Sequence, residues 1–284
     1  MNGKVDLHLH TTVSDGRFSP QQIVAKAAGL GVNTIAVTDH DTTNGIAPAI
    51  EAAGEFPQLR VIPGVEISTH APGSEVHLLG YFINPDHPGL KTALAELRDS
   101  RLARAQAMIL KLNELGVNIS WQYVKGIAGD STVGRPHIAR AMLEKGYIES
   151  FNDAFNGYIE QGGPAYVERH KITPAQAVSL VLEAGGLPVL AHPFTVEHPE
   201  KLIAELKAKG LAGIEVYYNS YSAEKRSILA QLAEKYGLIA TGGSDYHGID
   251  ESTETMLGDA DVPQQAAEDL IALAKQRGLN IAII

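Results

Sequence analysis

The stretch Val5-Asp6-Leu7-His8-Leu9-His10 reads as a β-strand, and on a strand residues two apart share a face. His8 and His10 therefore point the same way from an apolar run, where two imidazoles make a poor core and a good chelate. Further strand-like runs recur at 34–38, 60–68, 75–82, 188–191, 213–218 and 238–242. Amphipathic stretches at 20–30, 45–53, 174–184, 199–209, 223–236 and 263–277 alternate with them. Several open on a proline behind a capping residue, as in Ser19-Pro20 and Thr173-Pro174, and several stop at a glycine, as at Gly31, Gly185 and Gly237. Strand–helix–strand repetition predicts parallel strands with right-handed crossovers. About seven such units predict an α/β fold, a barrel or strongly curved sheet with helices outside.

One segment breaks the rhythm. From 88 to 166 helix follows helix: a long amphipathic stretch at 90–115, then patterns at 121–127, 136–145 and 152–159. The turn Gly162-Gly163-Pro164 is expected to lead back into a strand-like Ala165-Tyr166-Val167. The expected organisation is a barrel from 1–87 and 167–284, with an all-helical insertion at 88–166 beside its mouth. On the long helix Arg98, Arg101 and Arg104 recur every three residues, the spacing of a solvated face, which is the expectation here, with a rail for an anionic ligand as the second reading.

Bulk properties narrow the function. With 284 residues, 44% of them hydrophobic and 20% charged, the composition is that of an ordinary soluble protein. The start, MNGKVDLHLH, lacks the apolar run of a secretory signal, and no stretch approaches the roughly 20 apolar residues of a membrane span. A cytoplasmic protein with no membrane partner is expected. The absence of cysteine excludes disulfides, thiolate metal sites and Cys nucleophiles. A net charge of −10 argues against a protein that coats long nucleic acid. It leaves a small anionic substrate open, because bound divalent ions would set the local potential.

The polar residues fall in a pattern. His8 and His10 lie on or just beyond the first strand, and Asp39 and His40 follow the second. Glu66 sits near the end of the third and His77 within the fourth. His192 ends the next, Glu215 lies in the one after, and Asp245 and His247 follow the last. Barrel enzymes gather their chemistry at the C-terminal ends of strands. Any one of these histidines alone is more simply a hydrogen-bonded structural residue, but six of the 11 in such positions are not. Imidazole plus carboxylate without thiolate suits manganese, iron or zinc, and carboxylates bridge adjacent ions. The number of ligands exceeds what one ion needs and suits two or three.

The motifs that carry these residues resemble those of the PHP (polymerase and histidinol phosphatase) family. They are Asp6-Leu7-His8-Leu9-His10 with Ser14-Asp15-Gly16, Thr38-Asp39-His40-Asp41 and Pro63-Gly64-Val65-Glu66-Ile67. Val76-His77-Leu78-Leu79-Gly80, Leu190-Ala191-His192-Pro193 and Gly243-Ser244-Asp245-Tyr246-His247 continue the series in family order. The resemblance implies a distorted (β/α)7 barrel and a three-metal cluster, manganese first, with iron or zinc as alternatives. His8, His10, Glu66 and Asp245 would hold one ion. Glu66, His77 and His192 would hold a second, and Asp15, His40 and His247 a third. Asp39 and Asp6 would orient ligands from behind, or simply serve the local fold. Within the family the chain looks most like the group that hydrolyses 3′,5′-nucleotide bisphosphates or trims short RNA from its 5′ end. There the helical insertion flanks the site, which makes Arg135 and His137, in Gly134-Arg135-Pro136-His137, the expected substrate contacts. The bland reading of that stretch is a helix start.

The implied reaction is hydrolysis of a phosphoester by hydroxide generated on the metal, with His192 and Asp245 as catalytic residues. A histidinol phosphatase is the alternative enzyme, and a non-catalytic PHP binding module the alternative from another class. The sequence leaves the oligomeric state open.

Overall fold

The computed structural model describes residues 3–71, 74–129, 131–169, 172–218, 221–249 and 254–279. The chain begins β1 (Lys4–Leu9), α1 (Pro20–Gly29), β2 (Val32–Val37), α2 (Ile46–Ala53), β3 (Arg60–Ala71) and β4 (Ser74–Tyr81). A helical stretch follows: α3 (Pro88–Glu114), α4 (Trp121–Ala128), α5 (Arg135–Glu144), α6 (Phe151–Ala154) and a π-helical turn at Phe155–Ile159. The chain then runs through α7 (Pro174–Glu183), β5 (Leu187–Leu190), α8 (Pro199–Lys207), β6 (Gly213–Tyr218), α9 (Ala223–Tyr236), β7 (Ile239–Gly243) and α10 (Gln264–Gln276).

Local chemistry sets the helix ends. At α1 the Ser19 hydroxyl accepts from the Gln22 amide at 3.2 Å, while Gln22 Oε1 accepts from Ser19 N–H at 2.8 Å. Thr173 and Gln176 repeat this reciprocal cap at α7. Each such cap contributes about 1 kcal/mol. Helix α9 stops at Gly237, whose φ of 56° is the left-handed conformation that closes a helix with little strain in glycine.

Strand order follows chain order from β1 to β7. The last strand returns to the first: Leu9 bridges Tyr246 in parallel, and His10 N–H donates to Tyr246 O at 3.1 Å. The result is a mixed α/β, nearly closed seven-stranded barrel. The all-parallel expectation fails at one strand, because β4 runs antiparallel to both β3 and β5. Only two residues separate β3 from β4, and a parallel crossover needs a dozen or more. Val5, Leu7, Leu79, Tyr81, Val189 and Leu270 pack in one apolar cluster, and Leu9, Ile23, Ile35 and Val61 in another. Each such side chain contributes about 1.5–3 kcal/mol of burial.

Compactness divides the chain into two units, Met1–Leu94 with Ile172–Ile284, and Ala95–Lys171. All seven strands belong to the first. The described residues of the second contain no strand, and Met108, Leu112, Val124, Ile138, Met142 and Ile159 form its own core. The expected strand at 165–167 is absent. The Ala165 amide donates to Tyr158 O and the Tyr166 amide to Gly163 O, turn bonds that satisfy the backbone without a ladder. Arg101 and Arg104 are buried, at 6% and 4% exposure, so a solvated face is the wrong reading for them. Their three-residue spacing places them on one side of α3 but carries no information about what covers that side. No helix among the described residues is long and apolar enough to cross a membrane.

Candidate metal centre

Strand geometry brings the nine candidate ligands to one end of the barrel. His8 sits on β1, with His10 and Asp15 just past it, and His40 follows β2. His40 pairs with Glu66 as a parallel bridge, which extends β2 alongside β3. On the β3–β4 ladder Glu66 faces Leu79 and Ser68 faces His77, so Glu66 and His77 are diagonal neighbours on one face. His192 follows β5, and Asp245 and His247 follow β7.

Glu66 is the centre. Its Oε2 lies 3.3 Å from His8 Nε2, 3.2 Å from His10 Nε2 and 2.9 Å from His40 Nδ1. Its Oε1 lies 2.8 Å from His77 Nδ1 and 3.2 Å from His192 Nε2. One carboxylate thus meets five imidazoles. Asp245 Oδ1 adds contacts at 3.3 Å to His8 Nε2 and 3.1 Å to His10 Nε2. Asp15 stands 3.5 Å from His247 Nε2 and 3.9 Å from His40 Nε2.

Ligand atoms converge in three overlapping groups: His8, His10, Glu66 and Asp245; His10, Asp15, His40 and His247; and His40, Glu66 and His77. Within each group they lie within 4.8 Å of one another. His40 rather than His192 joins Glu66 and His77, and His192 touches the cluster through Glu66 Oε1. Arg135 and His137 lie in the helical unit, on α5. Arg135 approaches Glu160 at 3.9 Å and the Phe155 ring at 5.9 Å. His137 Nδ1 accepts from Gly134 N–H at 3.0 Å and so caps the start of α5.

For three of the rings the surroundings fix which nitrogen donates. His247 Nδ1 lies 2.8 Å from Asp245 O, and a carbonyl only accepts, so Nδ1 is the donor and Nε2, beside Asp15, is the nitrogen left for an ion. His8 Nδ1 faces Glu215 Oε1 at 3.0 Å, which likewise leaves Nε2 open. His10 Nδ1 faces Ser14 Oγ at 3.4 Å, and that hydroxyl donates to Asp39 Oδ1 at 2.7 Å, so the imidazole is again the donor. Asp39 also accepts from the Thr11 amide and hydroxyl. Asp6 takes Ser244 N–H, Ser244 O–H, Gly258 N–H and His8 N–H, tying β1 to the segment after β7. Polar groups behind the ligands that set tautomer and orientation are the usual support of a metal site.

Three further observations test the fit of divalent ions. His8 Nε2, His10 Nε2 and Glu66 Oε2 are buried without a hydrogen-bond partner, although they crowd together. Burial resists ionisation of Glu66, but His40, His77 and His8 outweigh it and hold its carboxyl well below the usual range. Burial also opposes the His77 cation, yet Glu66 raises it to about 9, and Asp15 raises His247 to about 10. Without cations the cluster relieves its carboxylate charge with protons on imidazoles, and divalent ions relieve it equally well. Finally, His192 holds φ 26° and ψ 64°, a strained region for a residue other than glycine. Strain of about 1–3 kcal/mol there is retained where function requires the geometry. The donor set and the open atoms fit divalent metal.

The sequence reading missed the roles of two residues. Glu215 was placed on its strand but given no part, and Tyr218 was not singled out. Glu215 accepts from His192 N–H at 2.8 Å as well as facing His8, and the Tyr218 hydroxyl donates to Asp245 Oδ2 at 2.9 Å. A carboxylate inside the apolar run Gly213-Ile214-Glu215-Val216 was the available signal for the first.

Comparison with known proteins agrees with this geometry. The family profile of the PHP domain matches residues 6–161. The chain is 36% identical to the 5′-3′ exoribonuclease Rnm of Escherichia coli, over 85% of this chain and 84% of that one. It is 33% identical to a 3′,5′-nucleoside bisphosphate phosphatase of Chromobacterium violaceum, over 91% and 92% of the two chains. A solved structure from Bifidobacterium adolescentis, named by inference as a metal-dependent phosphoesterase, superposes with a TM-score of 0.88 at 30% identity. That match covers 98% of this chain and 97% of the other.

Proposed function

This chain belongs to the PHP family and is a phosphoester hydrolase, and from that premise we propose that it acts on nucleotide phosphate esters. The substrates are 3′,5′-nucleoside bisphosphates, the 5′ ends of short RNA, or both. The observation that carries the reading is the Glu66 carboxylate meeting five imidazoles that lie on or just after four different strands. Similarity to proteins named for these two activities supports the substrate class. The barrel, 1–87 and 167–284, is the catalytic part, and 88–166 is a helical insertion that binds substrate. The site is proposed to work in the cytoplasm on small nucleotides or short oligonucleotides, with manganese as the resident ion in two or three positions.

His8, His10, Glu66 and Asp245 would hold one ion, and Asp15, His40 and His247, with His10 alongside, another. Glu66 and His77, with His40 or His192, would hold the third. Divalent ions held there supply Lewis-acid neutralisation of phosphate charge and acidify the attacking water. The protein's own groups do the rest. Asp245 presents Oδ1 to His8 and His10 while the Tyr218 hydroxyl holds Oδ2, so the carboxylate cannot swing. Where His40 completes the third position, His192, buried and with Nδ1 lacking a hydrogen-bond partner, is the residue left to hand a proton to the leaving oxygen. Arg135 grips a substrate phosphate, since a guanidinium bonds phosphate at two points, and His137 fixes the helix start that presents it.

The test is a metal-replete screen of 3′,5′-nucleoside bisphosphates, 5′-phosphorylated di- to pentanucleotides and histidinol phosphate, with Asp245→Ala as control. Turnover of a nucleotide class that Asp245→Ala abolishes is expected. Preference for histidinol phosphate would replace the substrate, and no hydrolysis of any ester would reduce the chain to a binding module.

A further inference from the structure

Strand β6 contributes no ligand to the cluster, yet Glu215 at its middle touches two residues that do. The side chain is fully buried. Its Oε1 faces His8 Nδ1 at 3.0 Å, and its Oε2 accepts from the backbone N–H of His192 at 2.8 Å. His8 belongs to the group with His10, Glu66 and Asp245, whereas His192 reaches the cluster at the other oxygen of Glu66. We infer that Glu215 is a positioning residue for metal binding, which fixes the His8 tautomer and anchors the strained His192 segment, so that both sides of Glu66 depend on it. This rests on the cluster being a divalent-ion site.

The argument turns on donors and acceptors. An ionised carboxylate only accepts, through two oxygens. The His192 N–H cannot change its character, so it claims one oxygen. The other leaves neutral His8, the form that binds an ion, a single favourable tautomer, with the proton on Nδ1 and the lone pair of Nε2 aimed between Glu66 and Asp245. The His192 bond also steadies a residue at φ 26°, ψ 64°, where the backbone alone is unfavourable. A carboxylate serving only the fold would need shape and two hydrogen bonds. A carboxylate serving the metal must in addition keep His8 Nε2 free of a proton.

Glu215→Gln separates these roles, because it preserves shape but has one acceptor and one donor end. With its oxygen kept on His192 N–H, its amide NH2 faces His8 Nδ1 and forces that nitrogen to accept. The His8 proton then moves to Nε2 and blocks the atom pointed at the ions. Titration with Mn2+, followed by calorimetry and bound-metal analysis, is expected to show about ten- to a hundredfold weaker binding in E215Q than in wild type. Long-range proton–nitrogen NMR on Zn2+-loaded wild-type protein is expected to show His8 protonated at Nδ1. Unchanged Mn2+ affinity in folded E215Q would overturn the inference. Should E215Q fail to fold, the wild-type spectrum decides, and a proton on His8 Nε2 would overturn it. Wild-type protein that binds neither ion would instead overturn the reading of the cluster itself.

Discussion

Closure of the barrel beside the site makes Gly243→Ala a severe change for so small a group. Gly243 ends β7, and a Cβ there would stand 2.4 Å from His8 Cβ and 2.5 Å from His8 N. Carbon atoms in ordinary contact are about 3.5–4.0 Å apart, so β7 must retreat from β1 by roughly 1–1.5 Å. The neighbouring bond from Ser244 N–H to Asp6 Oδ1, now 2.9 Å, would stretch past hydrogen-bonding range. Overpacking costs about 1–3 kcal/mol and loss of a charge-assisted bond about 1.5–3 kcal/mol. A fall in Tm on the order of 10 °C follows. Because His8 is the residue displaced, kcat/KM should fall by about a hundredfold, the usual effect of a misplacement near 1 Å. Gly126→Ala on α4 is the control: its Cβ meets nothing within 4 Å, and it should preserve or slightly raise Tm. Thermal melts and steady-state kinetics on the metal-loaded proteins provide the readout. Wild-type Tm and turnover in G243A would refute the claim that β1 and β7 meet at His8.

Other outcomes follow from the same geometry. Tyr218→Phe removes the hydroxyl that holds Asp245 Oδ2, and a loss of about 1.5–3 kcal/mol predicts a roughly ten- to hundredfold fall in kcat and a fall in Tm of about 3–10 °C. In chelator-treated protein His77 and His247 titrate at about 9 and 10, above their ordinary 6.5. Their contribution to stability is therefore complete below about pH 6.5 and lost as pH rises through 9 to 10, so Tm should decline across that window. Metal affinity has the opposite sign. Ions displace these protons, so Mn2+ affinity should rise from pH 6 to 7.5, and a flat profile would argue against the imidazoles as ligands. Arg135→Ala should raise KM for nucleotide substrates about tenfold or more while leaving bound-metal content unchanged; a loss of metal instead would place Arg135 among the supports of the cluster.

Much of the site was legible because its chemistry is carried by residue types that rarely share a strand end. His8 and His10 on one face, and Glu66, His77 and His192 at successive strands, needed only strand periodicity to be gathered. The direction of β4 was not read, although Pro72-Gly73 between two apolar runs is a turn signal, because the side-chain period is the same in parallel and antiparallel strands. Tyr218 was beyond sequence reasoning. The β6–β7 register shifts between Glu215 and Tyr217, and such an irregularity re-aims side chains so that Tyr218 reaches Asp245. Arg101 and Arg104 were misjudged for a related reason: helical spacing gives the face, and only tertiary packing says whether that face is wet.

Anomalous diffraction from crystals loaded with Mn2+, recorded on both sides of the manganese edge, addresses the cation site without recourse to activity. Two or three peaks should appear among His8, His10, His40, Glu66, His77, Asp245 and His247, with Glu66 bridging a pair of them. A protein that hydrolyses nucleotide esters yet shows no peak against Glu66, or binds its manganese elsewhere, would contradict the account.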